Sequence, residues 1–346
     1  MTRTAVILFN LGGPDSKEAI EPFLMNFFLD PNIVRLPFFF RWLLAKFISK
    51  RRSRREAGSS YSELGNKSPL LENSQAQAQA LENLLGPDFK VFVCMRYWHP
   101  MAEEIAAQVK SWGADKIILM PLYPQFSTTT TWSSFGVWQK AAKAAGLDQP
   151  ASAICCYPLN EGFIRASADN IRTMYKLAQK DGHKAPRILF SAHGLPESII
   201  KDGDPYQWQC EQTAEKIVQT LGIPNLDWVV CYQSRVGRQK WIGPSTEEEL
   251  ERAADQQIPV IIYPHSFTQE HVETLVELDM EYRHMAEEAG IAGYYRAATV
   301  STHPAFIEGL AKLVQDHLGR TGVAAESGRQ ICPAGFERCC MKAMNG

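Results

Sequence analysis

Three segments of this chain occur twice, in the same order, and this internal repetition limits the folds that the chain can adopt. Each segment is an apolar run typical of a buried strand, followed by a loop rich in glycine, proline, serine or aromatic residues. One pair would mean little, because buried strands resemble one another, but three pairs in order indicate two similar halves. The pairs are "ILFNLGGP" from Ile7 with "ILFSAHGLP" from Ile188, "VFVCMRYWHP" from Val91 with "WVVCYQSRVG" from Trp228, and "KIILMPLYPQFS" from Lys116 with "IPVIIYPHSFTQ" from Ile258.

Helical stretches separate these strands, for example "HPMAEEIAAQVKSWG" in the first half and "STEEELERAADQQ" in the second. Such alternation is typical of βαβ units, in which helices cover both faces of a parallel sheet. We therefore expect an α/β fold of two Rossmann-like domains with parallel four-stranded sheets, at residues 1–160 and 161–320, and a tail at 321–346. Because ligands bind beyond the carboxyl ends of such strands, the loops predict a shared cleft between the domains.

Composition and charge exclude several classes of protein. With 346 residues, 45% hydrophobic and 21% charged, the chain has the composition of an ordinary globular protein of two domains. Its formal net charge of −2 argues against nucleic-acid binding, which usually requires a basic surface. The first residues show no leader pattern, and no apolar run approaches the ~18 residues of a membrane span. We therefore expect a cytoplasmic protein, in which the cysteines are not a secreted disulfide set.

An aromatic and basic insertion at residues 34–55 interrupts this plan. In "RLPFFFRWLLAKFISKRRSRRE", apolar residues that include Phe39 come first, and a basic run that includes Arg52 follows. One interpretation is a core helix followed by a solvated basic face. The other is an interfacial helix or lip, whose aromatic residues enter a membrane surface or cover a flat apolar ligand. The basic run would then meet acidic headgroups or propionates.

A histidine and a row of acids follow two strand ends in the second half. His193 lies in "FSAHGLP", and "FTQEHVETLVELDMEY" contains His271 with Glu273, Glu277 and Glu281. The four-residue interval between these glutamates places their carboxylates on one helical face. The alternative is a solvated amphipathic helix, with a buried stripe made of Val272, Leu275, Val276 and Leu278.

The chemistry of these side chains suits a metal ion and protons. An imidazole opposite a carboxylate offers one borderline and one hard ligand, which suits a divalent first-row metal held loosely enough to be passed on. Both groups also accept protons near neutral pH. His193 and Glu273 are therefore candidates for metal binding and proton removal. The carboxylates behind them would form a hydrated path for a cation.

Two loops of the first half suit a planar hydrophobic ligand. "MRYWHP" and "YPQFSTTTTWSS" supply Arg96, Tyr97, Tyr123 and Ser127, which combine aromatic walls with a few polar anchors. The glycine turns "LGGP" and "HGLP" match neither GxGxxG nor a P-loop, so the sequence does not indicate a nucleotide.

Several of these segments together resemble the ferrochelatase family. They are "LFNLGGPDS", "YSELGNKSPLL", "MRYWHP", "YPQFSTTTT", "FSAHGLP", "GDPY", "YQSRVGRQKWIGP" and "FTQEHVETLVELDMEY", and they follow the family's order from about residue 5 to residue 318. The resemblance implies a chelatase-type fold with a porphyrin cleft between two lobes. It also implies a lyase that inserts ferrous iron into protoporphyrin IX, releases two protons and gives protohaem in the last step of haem biosynthesis.

The resemblance assigns roles to individual residues. The family's invariant histidine falls on His193 and its catalytic glutamate on Glu273, which would also hold the iron substrate. Glu277 and His271 fall on the family's neighbouring acidic helix. The hydrophobic lip falls on the "FFFRWLL" segment. The implied porphyrin-contacting residues are Tyr61, Arg52, Arg96, Tyr97, Tyr123, Ser127, Phe39 and Trp241.

The cysteines of the tail suggest a metal centre. Cys332, Cys339 and Cys340 lie within a short tail that cannot form its own core, so a metal or cluster would organise it. Some ferrochelatases hold a 2Fe-2S cluster with three C-terminal cysteines and one internal cysteine. The internal ligand here would be Cys156 or Cys155, of which only one can ligate because adjacent strand residues point to opposite faces. Cys210 as fourth ligand and a zinc site remain alternatives.

Other functions remain open on the sequence. Coproporphyrin III is an alternative substrate for the same chemistry, although the apolar lip favours the less polar protoporphyrin. A porphyrin or haem carrier would need propionate anchors but no acidic helix facing the metal centre. A cobalt chelatase for a more polar tetrapyrrole is a further alternative. The expected partners are the porphyrin, ferrous iron, a peripherally contacted inner membrane surface and an upstream haem-pathway enzyme, but no nucleic acid.

Overall fold

The computed structural model describes residues 2–56, 61–235 and 239–345, without the side chains of 55, 56 and 343–345. The chain divides into two compact units. The first comprises Met1–Cys156 and Ala311–Arg329, and the second comprises Tyr157–Leu310 and Gln330–Gly346. The division between them lies close to the expected boundary at residue 160, and the expected tail at 321–346 is shared by both units. The side chain of Arg55, the last basic residue of the insertion, is outside the described residues.

The first unit contains a parallel sheet with the strand order β2-β1-β3-β4-β9. The interior strand β1 is buried along its whole length, as expected for an apolar strand that is covered on both faces. The sheet has five strands rather than the predicted four. The fifth strand is a segment of three residues from the expected tail, which pairs with β4 through Ser152 and Gly322. The strands are β1 (Thr4–Asn10), β2 (Phe89–Met95), β3 (Lys116–Pro121), β4 (Ala151–Ile154) and β9 (Gly322–Ala324).

The helices of the first unit include the aromatic insertion as α2. They are α1 (Ile20–Phe28), α2 (Phe38–Glu56), a short 3-10 turn (Ser62–Leu64), α3 (Leu70–Leu85), α4 (Ala102–Trp112) and α5 (Thr131–Ala144). Helix α2 is not a core helix, because Phe38, Phe39, Phe40 and Phe47 are each more than 60% exposed. Among the described residues, no helix is long and apolar enough to cross a bilayer.

The second unit contains the predicted four-stranded parallel sheet, with the order β6-β5-β7-β8. The strands are β5 (Arg187–His193), β6 (Trp228–Gln233), β7 (Val260–Tyr263) and β8 (Tyr294–Arg296). The helices are α6 (Glu161–Lys180), α7 (Glu197–Lys201), α8 (Tyr206–Leu221), α9 (Thr246–Asp255), a π-helix (Glu273–Glu281), α10 (Tyr282–Glu288), α11 (Pro304–His317) and α12 (Cys340–Asn345). Helix α11 crosses the division between the units at Ala311.

The acidic segment is a π-helix rather than an ordinary α-helix. Its hydrogen bonds span five residues, as between the Tyr282 N–H and the Glu277 carbonyl. Two side chains donate to its backbone carbonyls, since the Tyr294 hydroxyl binds the Leu278 carbonyl and Arg283 Nε binds that of Asp279 at 3.0 Å. Wide turns of this kind are frequent at functional sites. The spacing of the glutamates indicated a helix but could not distinguish the two geometries.

Candidate active site

The adjacent strands β5 and β7 position the central residues of the site. His193 is the last residue of β5, and its backbone is held on both sides. The Tyr206 hydroxyl donates to the His193 carbonyl at 3.1 Å, and the His193 N–H donates to Ser266 Oγ at 3.4 Å. The next residue must be glycine, because a Cβ on Gly194 would lie 2.9 Å from the Gln233 carbonyl oxygen.

The His193 ring binds the first residue of the π-helix. Its Nδ1 lies 2.8 Å from Glu273 Oε2, and the ring is 37% exposed. Burial lowers the pKa of His193, but the charge and hydrogen bond of Glu273 more than offset this effect, so the pKa lies above its usual value. With Nδ1–H directed at the carboxylate, Nε2 keeps its lone pair and is the basic atom of the ring.

Glu277 is fixed by residues at the end of β6. Its Oε1 accepts a hydrogen bond from the Ser234 N–H at 2.8 Å and lies 3.1 Å from the Tyr282 hydroxyl oxygen. Its Oε2 accepts from Ser234 Oγ at 2.5 Å and Gln233 Nε2 at 3.1 Å. Burial raises the pKa of Glu277, the nearby Glu273 charge adds to this, and the bonds from Ser234 oppose it. Glu277 is therefore a carboxyl that holds a proton more readily than usual.

His271 is buried and lies apart from this hydrogen-bond network. Its ring packs against Phe267 with centroids 4.6 Å apart, and its Nδ1 has no hydrogen-bond partner within the described part of the chain. Burial lowers the pKa of His271, although the charges of Glu273 and Glu270 oppose this. The ring is accordingly neutral near pH 7.

The remaining acids of the row are not equivalent. Glu270 and Asp279 both bind Arg296, at 2.8 Å and 3.2 Å, and Asp279 also binds Arg283 at 2.7 Å, so each of the two acids has a cationic partner. Glu281 is exposed. The predicted buried stripe is found in part, since Val276 and Leu278 are buried whereas Val272 and Leu275 are half-buried. The helix therefore has an apolar side as well as the carboxylates that face His193 and Ser234.

Four residues of the site were not predicted from the sequence. Ser234 and Gln233 hold Glu277, Tyr282 contacts the same carboxylate, and Arg296 neutralises Glu270. Ser234 and Gln233 lie in the repeated strand-end segment "WVVCYQSRVG", which was a usable signal. Tyr282 ends the acidic segment "FTQEHVETLVELDMEY", but its contact depends on how the π-helix packs, and Arg296 had no signal in the sequence.

Two of the residues expected to contact porphyrin belong to a buried network in the first unit. Asp30 accepts hydrogen bonds from Arg96 Nη2 at 2.8 Å, from the Tyr97 hydroxyl at 2.7 Å and from the Ser133 hydroxyl. Burial opposes ionisation of Asp30, but the Arg96 charge and these donors hold its pKa below the usual value. The charge of Arg96 is therefore already balanced within the protein.

The other residues expected to contact porphyrin differ in exposure. Tyr61 and Ser127 are buried, the Tyr123 hydroxyl is also buried, and burial raises the pKa of Tyr123. Ser127 Oγ lies 2.9 Å from Thr129 Oγ1. In contrast, Phe39 is 63% exposed. Arg52 and Trp241 are half-buried.

The cysteines of the tail are buried, and two of them interact. A hydrogen bond from Cys332 lowers the pKa of the Cys339 thiol to about 6. Gln209 Nε2 also donates to Cys332 Sγ at 3.1 Å. In the first unit, Cys155 and Cys156 follow β4, with their sulfur atoms 3.7 Å apart. Over residues 2–56, 61–235 and 239–345, no three His, Cys, Asp or Glu side chains are arranged to hold a metal.

Solved structures with a similar fold confirm the predicted fold class. SirB from Bacillus subtilis with Fe3+ matches with a TM-score of 0.55 at 11% identity, over 92% of this chain and 96% of that one. The sirohydrochlorin chelatase SirB from B. subtilis subspecies spizizenii, in complex with cobalt, matches with a TM-score of 0.50 at 12% identity, over 91% and 95%. At these identities, the similarity shows the fold alone.

Other relatives are much more similar to this chain in sequence than these solved structures are. The family model Ferrochelatase matches residues 3–318. The ferrochelatase of Caulobacter vibrioides is 47% identical over 343 residues, with 97% of both chains covered. The ferrochelatase of Hyphomonas neptunium is 47% identical over 346 residues, covering 97% of this chain and 94% of the relative. That of a Wolbachia from Drosophila simulans is 53% identical over 316 residues, covering 90% and 98%. This chain belongs to the ferrochelatase family.

Proposed function

We propose that the protein inserts ferrous iron into protoporphyrin IX and releases protohaem and two protons. The observation that carries this proposal is the 2.8 Å contact between His193 Nδ1 and Glu273 Oε2 at the carboxyl end of β5. It joins a base and a carboxylate in one site, which is what metal insertion requires. The family and its curated relatives, which are lyases, support the same reaction.

The reaction has to remove two protons from the point that the metal will occupy. A free-base porphyrin carries two N–H groups at its centre, and iron cannot bind four nitrogens while these remain. We assign the first proton to Nε2 of His193, because Glu273 stabilises the resulting imidazolium. Glu273 then binds iron before it enters the ring, and Glu273 and Glu277 carry protons away.

The porphyrin itself would be held by apolar walls and a few polar anchors. Bending the macrocycle between such walls tilts a pyrrole and exposes a nitrogen lone pair. We propose that Tyr61, Tyr123, Phe39 and Trp241 form part of these walls. Since Asp30 balances Arg96, we assign Arg52 as the cation for a propionate. The remaining proposed contacts are Arg96, Tyr97 and Ser127.

An anaerobic assay with two porphyrins tests this function. On addition of ferrous iron, we expect the fluorescence of free-base protoporphyrin IX to decay far faster than in the uncatalysed control. The decay with coproporphyrin III should be slower, because the exposed apolar surface of α2 matches the less polar ring. Faster turnover of coproporphyrin would reassign the substrate. A rate equal to the uncatalysed one with both would identify a carrier.

We also propose that the tail binds a 2Fe-2S cluster through Cys332, Cys339, Cys340 and either Cys156 or Cys155. The chemistry of the pair Cys332 and Cys339 fits this group, because thiolates are the ligands of such clusters and the Cys339 thiol ionises readily. When bound, a cluster of this kind is a one-electron redox centre that also crosslinks the segments that hold it. The alternatives are Cys210 as the fourth ligand and a zinc ion in place of the cluster.

The spectrum of the purified protein checks the cluster. Prepared without oxygen, the protein should be coloured and contain iron and sulfide. Cys339→Ser should lose both, whereas Cys94→Ala, which changes a cysteine buried in β2, should keep them. A colourless protein that contains zinc would establish the alternative metal. Loss of the colour in Cys210→Ser but not in Cys156→Ser or Cys155→Ser would move the fourth ligand to Cys210.

Finally, we propose that α2 makes peripheral contact with a membrane. Four phenylalanines of this helix are exposed, and they precede the basic side chains of Lys50, Arg51, Arg52 and Arg54. Burying one phenylalanine contributes about 1.5–3 kcal/mol, and basic residues near an anionic surface add about 1 kcal/mol each. Both contributions favour an anionic lipid surface.

Sedimentation with anionic lipid vesicles measures this contact. Phe39→Ser should weaken vesicle binding about tenfold or more. Leu84→Ser is the matched control, because Leu84 is 51% exposed on α3, outside the helix. Equal effects of the two substitutions, or none from Phe39→Ser, would remove α2 from membrane binding.

A further inference from the structure

The hydroxyl of Tyr282 lies between two carboxylates. It is 3.1 Å from Oε1 of Glu277 and 3.0 Å from Oε1 of Glu247. Tyr282 begins α10, directly after the π-helix, and only 3% of its surface is exposed. Glu247 lies in the first turn of α9. The hydroxyl thus connects the acidic side of the site with a different helix.

The single hydrogen of the Tyr282 hydroxyl cannot form hydrogen bonds to two ionised carboxylates at the same time. A phenolic hydroxyl carries one hydrogen, so it donates to one carboxylate and presents a lone pair to the other. Two oxygens without a proton between them repel at 3.0 Å. The geometry is therefore satisfied when one of the two carboxyls is protonated and donates to the Tyr282 oxygen.

We propose that Tyr282 is a positioning residue that relays protons from Glu277 to Glu247 during metal insertion. The proposal rests on the proposed function, which supplies two protons in each turnover. In the step, the protonated Glu277 gives its proton to the Tyr282 oxygen while the Tyr282 hydrogen passes to the Glu247 carboxylate. The O–H bond of Tyr282 is broken and remade, and one proton has moved from Glu277 to Glu247.

The surroundings of Glu277 favour such a relay. Its two oxygens are held by Ser234 and Gln233, so the side chain cannot swing out to deliver a proton itself. Burial and the two carboxylates also raise the pKa of Tyr282, so the tyrosinate is strongly disfavoured. The hydroxyl hydrogen can leave only as another proton arrives, which makes transfer through Tyr282 concerted.

Glu247 is suited to receive the proton. Its Oε1 lies 3.0 Å from the Tyr282 hydroxyl and receives the hydrogen, and its Oε2 has no hydrogen-bond partner among the described residues. The Glu247 residue is half-buried, so it is partly accessible to solvent.

Tyr282→Phe tests the relay, with Tyr294→Phe as its matched control. Tyr294 donates its hydroxyl to a backbone carbonyl of the same π-helix but bridges no carboxylates. We expect Tyr282→Phe to lower kcat about tenfold or more and to leave the KM for porphyrin and iron unchanged. A small weak acid such as formate should restore kcat saturably in this variant alone, because it can carry the proton that the hydroxyl no longer carries.

Infrared spectroscopy separates failure of the relay from failure of the proposed function. It requires no turnover and detects the C=O stretch of a protonated carboxyl. We expect such a band at neutral pH, shifted by Tyr282→Phe and not by Tyr294→Phe. Absence of the band overturns the relay whether or not the wild-type protein inserts iron. Unchanged kcat in Tyr282→Phe, an equal loss in Tyr294→Phe, or lack of rescue by formate also overturns it.

Discussion

His193→Ala should abolish iron insertion while porphyrin still binds. We expect turnover to fall by about 100-fold to 10,000-fold, the usual contribution of a positioned general base. The ring offers Nε2 to the pyrrole proton and is held by Glu273 at Nδ1, so alanine removes the base and leaves the carboxylate without its partner. Anaerobic fluorescence decay measures turnover, and an absorbance titration without iron measures porphyrin binding.

The matched control for this substitution is His284→Ala. His284 lies on α10 in the same unit, and its side chain is 72% exposed. This variant should keep wild-type turnover, since it removes a histidine without touching the site. Near-normal turnover of His193→Ala would remove His193 from the mechanism. Loss of porphyrin binding in parallel with turnover would make it a binding residue instead.

Asp30→Ala should cause a large loss of stability. Asp30 is 2% exposed and accepts hydrogen bonds from Arg96, Tyr97 and Ser133. Removing one member of a buried ion pair costs about 3–5 kcal/mol, because the other charge is left without a partner. Urea denaturation monitored by tryptophan fluorescence measures the free energy of unfolding.

The exposed Asp15 provides the comparison, because Asp15→Ala should change the free energy of unfolding by no more than about 0.5 kcal/mol.

The folded-state pKa of Asp30 lies below its value in the unfolded chain, about 3.9. The contribution of Asp30 to the free energy of unfolding is therefore complete when the pH is above its unfolded-state pKa. This contribution is lost as the pH falls through the folded-state pKa. A loss below about 1 kcal/mol at pH 7 would contradict the importance that we give to this network.

The sequence predicted those parts of the fold that depend on local pattern. The apolar runs that became β1, β5 and β7 are buried on both faces of parallel sheets, so their composition alone identified them. The encounter of His193 with Glu273 was also predictable, because adjacent parallel strands deliver their loops to the same edge of a sheet. Their roles in catalysis stay predictions until they are measured.

The features that the sequence did not predict depend on distant contacts. Gly322–Ala324 is too short to be recognised as a strand and forms one only because β4 offers a free edge. The π-helix differs from an α-helix by one residue per hydrogen-bonded turn, which the spacing of Glu273 and Glu277 does not reveal. The place of Tyr282 between Glu277 and Glu247 requires α9 and α10 to be adjacent.

The central claim is that His193 and Glu273 act as one unit in removing pyrrole protons. Turnover of His193→Ala, Glu273→Ala and the double variant under identical anaerobic conditions tests it most directly. Groups that act together do not add their effects, so we predict that the double variant is no slower than the slower single variant, within about threefold. Losses that multiply across the two substitutions would show that the residues act independently and would contradict the claim.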